Sequence, residues 1–338
     1  GELAKHGTNA HFGSGDIFVA EADESDGSFL VYRPDVAIVT SVQPDHLDFY
    51  GTFEAVQAAY AAFVATVQPN GLLVTCADDP GSRALVGVAR AAGTPVITYG
   101  LAGDADIRLT NLGGSGFHGH GELVQAGVVV GHLEIGMPGR HNLLNATASF
   151  VAATEGLGQD RAHVLEGLAG FTGTRRRFEL KGEVAGVRVV DDYAHNPGKV
   201  AAVVETASAL AGSGRLIVVF QPHLYSRTRD FAAELAMALA PADIVFVMDV
   251  YAAREDPMPG VSGALIADRL ADVVRPPGAD NARFVSSWSD VAPLVAQTAR
   301  AGDLVLTVGA GDVTMIGPEI LRLLGPGPAA TNVAQGGK

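Results

Sequence analysis

Residues able to do chemistry recur directly behind short apolar runs. In "DIFVAEADESDGSF" (Asp16 to Phe29) four carboxylates, Glu21, Asp23, Glu24 and Asp26, crowd into six residues. In "VAIVTSVQPDHLDFYGT" a second apolar run ends in Asp45, His46 and Asp48. Carboxylate oxygens beside an imidazole make a workable shell for a hard divalent cation that keeps some of its waters. The same spacing fits solvated loop acids with Asp48 capping a helix, and both readings stand on these residues alone.

The later half repeats the arrangement with other groups. "VRVVDDYAHNP" ends in Asp191, Asp192, Tyr193 and His195, and "VVFQPHLYSRTRDF" ends in His223, Tyr225, Arg227, Thr228 and Arg229. Two run ends that each carry an aromatic hydroxyl and a histidine exceed what scaffolding needs, and strand ends are where sites are built. "MPGRHNLLNATASF" sets His141, Asn142 and Asn145 at the start of a helix, for capping or for pairing with a purine edge. "TRRRFE" offers a planar, permanent cation for bidentate phosphate contact, or a solvated junction. "LTVGAGDV" falls short of G-x-G-x-x-G, and a tight strand-to-helix turn accounts for it.

The elements that must position these residues are legible in outline. Continuous apolar runs such as "GLLVTC", "RLIVVFQP", "DIVFVMDVY" and "DLVLTVGAG" alternate with alanine-rich segments of helical spacing, Phe53 to Val67, Pro197 to Ala211, Thr228 to Ala240 and Ser289 to Arg300. That alternation predicts an α/β fold with mostly parallel sheets covered on both faces. Residues 101–136 instead show glycine-punctuated alternation and no helix, which predicts a set of antiparallel hairpins; a helix is predicted from Asn142 to Gly156. A length of 338 residues exceeds one ordinary core. The turn residues and charge around "FTGTRRRFELKG" place a boundary near Gly173, giving domains 1–172 and 173–324, and the low-complexity tail 325–338 is predicted to be disordered.

Composition excludes several classes of function. The net charge is −14 and the one dense basic run is Arg175 to Arg177, so the electrostatic footprint of a nucleic-acid binder is missing. An acidic protein that handles anions must hold them with local arginines, backbone N–H groups or bound cations. The single cysteine, Cys76, lies in the apolar run "LLVTCA"; it precludes an internal disulfide, suits a reducing compartment and is predicted to be buried. The uncharged stretch Ala55 to Ala77 is interrupted by "QPNG", so no membrane span is predicted; with no leader-like start, a cytoplasmic location follows.

In order, "EADESDGSF", "DHLDFYGT", "PGRHNLLNA", "RRRFE", "DDYAHNP", "FQPHLYSRT", "DVYAAREDPMPGVSG" and "GAGD" resemble the Mur ligase family, from about Gly7 to Leu324. The acidic form of the first motif and "FQPHLYSRT" point to the member that adds L-alanine to UDP-N-acetylmuramate in peptidoglycan precursor synthesis. The resemblance implies a partial central ATPase domain with a mostly parallel sheet, followed by a C-terminal Rossmann-like α/β domain. It implies ATP as co-substrate and Mg2+ as cofactor, with UDP-N-acetylmuramate and L-alanine as partners and neither nucleic acid nor membrane. By similarity Glu21 and His46 would bind magnesium, and Asn142 and Asn145 would meet adenine. Arg176 would meet the phosphates and Asp192 the ribose or its phosphates. Tyr193 and His195 would hold the alanine, while His223, Tyr225 and Arg227 would face the acyl-phosphate end of the sugar nucleotide; His195, His223 and Arg227 are the catalytic candidates.

Departures from the family pattern are informative. No G-x-x-G-K-[ST] phosphate loop occurs in the chain, so it is expected ahead of residue 1, and the chain alone is expected to be an inactive fragment. Some relatives hold the second magnesium with a modified lysine after the histidine, but no lysine lies between Leu47 and Gly100. Asn196 stands where a second histidine is usual, and Leu224 where arginine is usual; neither is assigned a role. The competing readings are a ligase for recycled murein peptide and a non-catalytic nucleotide-binding module.

Overall fold

Runs of four or five apolar residues without alternation need cover on both faces, and the structure uses them as interior strands. In a computed structural model that describes residues 10–11, 13–280 and 282–325, the chain divides between Gly173 and Thr174 into two compact units. The predicted disordered tail lies outside the described residues, apart from Gly325.

The first unit has a six-stranded sheet in the order β1 (Val36–Val39), β2 (Leu72–Cys76), β3 (Val96–Gly100), β4 (Ile107–Ser115), β5 (His118–Gln125), β6 (Val128–Ile135). β1 to β4 pair in parallel, and β4 to β6 form the expected antiparallel hairpins. The two-residue loop between β5 and β6 is Ala126-Gly127, with both residues at positive φ (48° and 80°), the twist that matches paired strands. Helices α1 (Leu47–Tyr50), α2 (Phe53–Val64) and α3 (Pro80–Ala92) follow the first two strands. Thr52 caps α2 by accepting from the Ala55 N–H at 3.2 Å, and Asp79 caps α3 by accepting from Ser82 N–H at 2.7 Å, with Pro80 next in line. α4 (Arg140–Val151), a π turn over Ala152–Gly156, and α5 (Arg161–Ala169) complete the unit, with Leu143 and Phe150 packed among Leu123, Leu133 and Ile135. Cys76 is buried, as its apolar context predicts, and burial raises its thiol pKa.

The apolar run "DIFVA" reads as the start of a buried strand, and the structure corrects that expectation. Residues 17–23 have no ladder, and Phe18 and Val19 are 89% and 85% exposed. An apolar run becomes a strand only where a neighbour accepts its backbone hydrogen bonds, and among the described residues β1 pairs with β2 alone.

The second unit has β7 (Glu179–Val184), β8 (Val187–Asp192), β9 (Leu216–Phe220), β10 (Ile244–Met248), β11 (Arg283–Val285) and β12 (Leu304–Val308), in the order β11-β10-β9-β12-β8-β7. All pair in parallel except the edge strand β7. Its helices are α6 (Pro197–Ala211), α7 (Tyr225–Asp230), α8 (Ala232–Leu239), α9 (Ala264–Ala271), α10 (Trp288–Thr298) and α11 (Ile316–Leu324). α6 occupies its predicted span because Asn196 caps it, accepting from Lys199 N–H at 2.9 Å, with Pro197 as the first helical residue. The single helix predicted over Thr228 to Ala240 is instead two, broken at Phe231 (φ −121°, ψ 21°). Ile217, Phe246 and Val305 are fully buried, each adding about 1.5–3 kcal/mol of burial free energy. β12 lies between β8 and β9, so the order in which the chain lays down its strands reverses there, and the carboxyl ends of β8, β12, β9 and β10 stand side by side. Ligands bind at such a switch point in open parallel sheets.

Candidate functional site

In the first unit the acidic cluster divides by role. Asp23 accepts from Ser25 N–H and Asp26 from Ser28 N–H, each at 2.9 Å, so both shape the turn. The hydroxyl and N–H of Ser28 hold the Asp26 carboxyl below its ordinary pKa. Tyr50 donates its hydroxyl to the Glu24 carbonyl at 2.6 Å, tying this turn to α1. The His46 backbone is left-handed (φ 54°), uncommon outside glycine, and its N–H donates to Asp45 Oδ1 at 2.9 Å. His46 Nε2 lies 3.4 Å from Glu24 Oε1 and 3.8 Å from Asp45 Oδ2. Glu24 is thus a carboxylate of the first cluster that reaches His46, and Glu21 lies on the segment without a ladder. Among the described residues, no group of three or more His, Cys, Asp or Glu side chains has the geometry to hold a metal ion. A magnesium ion held by Glu21 and His46 would complete its shell with waters and substrate oxygens.

Asn142 and Asn145 lie one turn apart on α4, which places them on one face. Asn142 donates an amide hydrogen to the Pro138 carbonyl at 2.7 Å, bracing the helix entry at Gly139 (φ 98°), and Asn145 is exposed.

The second unit builds a denser constellation at the switch point. Asp191, fully buried at the end of β8, accepts from the hydroxyls of Thr307 (2.6 Å) and Thr314 (2.7 Å) and faces Arg176 Nε at 3.4 Å. Arg176 also donates from Nη2 to the carbonyls of Gly309 (2.6 Å) and Gly311 (3.1 Å), and its guanidinium lies 4.8 Å from the centre of the Tyr193 ring. Any phosphate contact by Arg176 must share a guanidinium that already brackets the glycine turn behind β12.

Asp192 is also buried; its two oxygens accept from the backbone N–H groups of Phe178 (2.8 Å) and Ala194 (2.7 Å). These bonds shape the turn that presents Tyr193 and His195. Burial pushes the Asp192 carboxyl up to about 6, against the lowering effect of the two N–H groups and Arg177, while Asp191 adds to the rise. A folded-state value above the unfolded 3.8 means that the contribution to stability is complete below pH 3.8 and is lost as pH rises through about 6. Relative to Asp192→Asn, which does not titrate, the wild type should lose about 2 kcal/mol of unfolding free energy between pH 4 and pH 7. Urea titrations at the two pH values measure this, and a constant difference would contradict it.

His195 and His223 face each other from the ends of β8 and β9, with ring centroids 5.5 Å apart. Tyr193 meets His195 edge-on at 5.4 Å, and His223 stacks on Tyr251 at 5.9 Å. Arg227 on α7 is buried, with Nη1 3.1 Å from His223 Nδ1, and Tyr225 begins the same helix. The turns behind β9 and β10 are zipped together: Tyr251 N–H donates to the Pro222 carbonyl (2.8 Å) and Leu224 N–H to the Tyr251 carbonyl (3.0 Å). Glu255 accepts from both the N–H and the hydroxyl of Ser226, anchoring the start of α7 to the loop behind β10. Gln221 donates to Asp312 Oδ1 (2.6 Å) and accepts from Val313 N–H (3.0 Å), so it holds the glycine turn from the β9 side. At Gly311 an added Cβ would come within 2.4 Å of Gln221 Oε1 and 2.6 Å of the Tyr251 ring, so the turn approaches too closely for any side chain there.

The structure therefore brings together Arg176, Asp192, Tyr193, His195, His223 and Arg227 at one sheet edge. It adds Tyr251, Gln221 and Glu255, to which sequence reasoning assigned no role. Tyr251 carried the signal that singled out Tyr193, an aromatic hydroxyl directly behind an apolar run, in "DIVFVMDVY".

Two family profiles match the chain: the Mur ligase middle domain over residues 9–153, and the Mur ligase glutamate ligase domain over residues 176–311. A UDP-N-acetylmuramate--L-alanine ligase of Kineococcus radiotolerans is 59% identical over 93% of this chain, and the chain spans about 65% of that relative's length. The crystal structure of the UDP-N-acetylmuramate-alanine ligase MurC of Thermotoga maritima superposes with a TM-score of 0.70 at 27% identity, over 89% of this chain and 62% of that one. MurF ligase of the same organism, solved in complex with ADP, shares the fold with a TM-score of 0.67 at 21% identity, over 88% of this chain and 65% of that one. The chain belongs to the Mur ligase family, of which it carries the middle and C-terminal domains.

Proposed function

We propose that the protein to which this chain belongs joins L-alanine to UDP-N-acetylmuramate at the expense of ATP. The observation that carries this reading is the polar constellation at the switch point of the second unit, found in a chain 59% identical to a ligase of that name. Amide formation from a carboxylate needs the carboxylate activated, which ATP does by converting it to an acyl phosphate; the amine then displaces phosphate. The demands on the protein are positioning and charge neutralisation. Arg227 and His223 offer N–H donors to anionic oxygens, and Tyr193 with His195 forms the wall against which a small amino acid would rest. Arg176, Asp191 and Asp192 hold these groups in place.

The Asn142 and Asn145 face is the proposed place for the adenine. With no G-x-x-G-K-[ST] in the chain, the phosphate cradle is not among its residues. No helix among the described residues is long and apolar enough to cross a membrane, and a cytoplasmic site of action accords with ATP use and the buried, unpaired cysteine. In the full-length gene product, phosphate release from ATP should require UDP-N-acetylmuramate and L-alanine together. A coupled phosphate assay measures it, and equal turnover with a murein peptide in place of alanine would overturn the alanine assignment.

A further inference from the structure

We propose that His195 and His223 are held in opposite tautomers, so that His195 Nε2 takes the proton from the incoming amino group while His223 Nε2–H serves only as a donor. The tautomers follow from the partner of each ring. His195 Nδ1 lies 2.9 Å from the Tyr193 carbonyl oxygen, which can only accept, so Nδ1 carries the hydrogen. In the neutral ring the lone pair is then on Nε2. His223 Nδ1 lies 3.1 Å from Arg227 Nη1, and a guanidinium has only N–H donors and does not deprotonate in proteins. His223 Nδ1 must therefore accept, which puts the hydrogen on Nε2.

The two rings also differ in the charge they can carry. Protonating His195 adds a hydrogen at Nε2 and leaves the bond to the Tyr193 carbonyl intact. Protonating His223 would turn Nδ1–H against an N–H of a buried permanent cation, breaking that bond and opposing like charges. Groups that face the pair include Tyr193 on the same turn, the Arg176 guanidinium over the Tyr193 ring, Arg227 on α7 and Tyr251 behind β10. Of these groups, the ones against His223 are a guanidinium and an aromatic ring, while the Tyr193 ring lies between His195 and Arg176.

The chemistry of the role rests on the ligase reading above. An α-amino acid in neutral solution carries an ammonium group, which has no lone pair and cannot attack an acyl phosphate. One N–H bond of the ammonium breaks and its hydrogen goes to His195 Nε2 as H+. The electron pair left on nitrogen forms the bond to the acyl carbon; phosphate then leaves with the electrons of the C–O bond and takes the second hydrogen from that nitrogen as H+, which leaves the neutral amide. The imidazolium is stabilised by the Tyr193 carbonyl. Besides the N–H donors it offers, Arg227 positions His223 through the tautomer it imposes on that ring.

The tautomers are tested on the chain itself, whatever reaction it serves. Selective 15N-histidine labelling should show the one-bond proton coupling at Nδ1 in His195 and at Nε2 in His223 near pH 7.5. The same nitrogen protonated in both rings would overturn the assignment. In Arg227→Gln, folded by circular dichroism, the His223 ring should lose its fixed tautomer while His195 keeps its own; an unchanged His223 would remove Arg227 from the argument. The acceptor role is tested in the full-length gene product by the pH dependence of kcat/KM for alanine. His195→Gln should lower it by about 10²–10⁴-fold and replace the imidazole-governed acidic limb with one displaced to higher pH, where free amine accumulates. His223→Gln should lower kcat/KM but keep the limb. An acidic limb unmoved from its wild-type position in His195→Gln, with the tautomers as stated, would refute the base and spare the ligase reading. Absence of alanine-dependent turnover in the wild type would sink that reading, and the acceptor role with it, while leaving the tautomers standing.

Discussion

Replacing Asp191 with alanine is expected to cost about 3–5 kcal/mol of unfolding free energy and to loosen the turn Gly309–Asp312 in the protein that remains folded. The carboxylate is fully buried and meets three partners from two other segments: Thr307 on β12, Thr314 behind it, and Arg176 ahead of β7. Alanine would leave the Arg176 Nε, a buried atom with no hydrogen-bond acceptor, without its compensating charge. Such removal costs far more than the pair contributes, because an uncompensated cation then stays in a low-dielectric setting. Asp191→Asn keeps one acceptor oxygen and should cost about 1–3 kcal/mol. Urea unfolding with an unchanged denaturant slope measures the cost, and amide exchange at residues 309–313 reports the turn. A loss below 1 kcal/mol for alanine would show that the Arg176 bracket stands without its anion.

A comparable loss, again about 3–5 kcal/mol, is expected for Asp303→Ala, at the amino ends of the strands of the same sheet. Asp303 is buried just before β12, and its oxygens meet Arg215 Nε (3.2 Å) and Nη2 (2.6 Å) in a two-pronged pair. They also accept from Arg300 N–H at 2.8 Å and Arg215 N–H at 3.3 Å, so alanine would strand a guanidinium and two backbone donors. Burial would raise the Asp303 carboxyl, but the Arg215 guanidinium and the Arg300 N–H outweigh it and hold it below its ordinary value of 3.8. A depressed value means that the stabilisation is present above pH 3.8 and is lost as pH falls through the folded-state value. Asp192 has the opposite sign. The gap between wild type and Asp303→Ala should therefore be widest near neutral pH and close on acidification, and a gap that widens below pH 4 would contradict the pairing. Parallel urea titrations from pH 3 to pH 7 separate the two carboxylates.

Periodicity and caps were enough to read much of the architecture. The run of Pro197 to Ala211 is a helix because its cap, its proline and its apolar spacing are all local. The hairpins of residues 101–136 were equally legible, since alternation and a two-residue turn specify them without distant partners. "DIFVA" failed the same reading, because a continuous apolar run says that cover is wanted but not that a neighbouring strand exists to supply it. Thr228 to Ala240 failed for a related reason: α7 is held by Glu255 and by the turn behind β10, and those contacts set its break at Phe231.

The site shows the same division. Residue types and their place behind apolar runs singled out Tyr193, His195, His223 and Arg227, since strand ends of parallel sheets are where ligands meet side chains. The family resemblance, too, was carried by motifs written in the chain. Only the tertiary structure decided that β12 inserts between β8 and β9, bringing four strand ends into one row. It alone decided that Glu24 meets His46, that Arg176 spends its donors on the glycine turn, and that Tyr251 stacks under His223. Hydrogen-bond partners, and with them the tautomers, are set by groups up to 135 residues apart along the chain, such as Arg176 and Gly311. Local patterning carries no record of such distances; they are chosen by which strands pair and which carbonyls and carboxylates that pairing leaves at the edge.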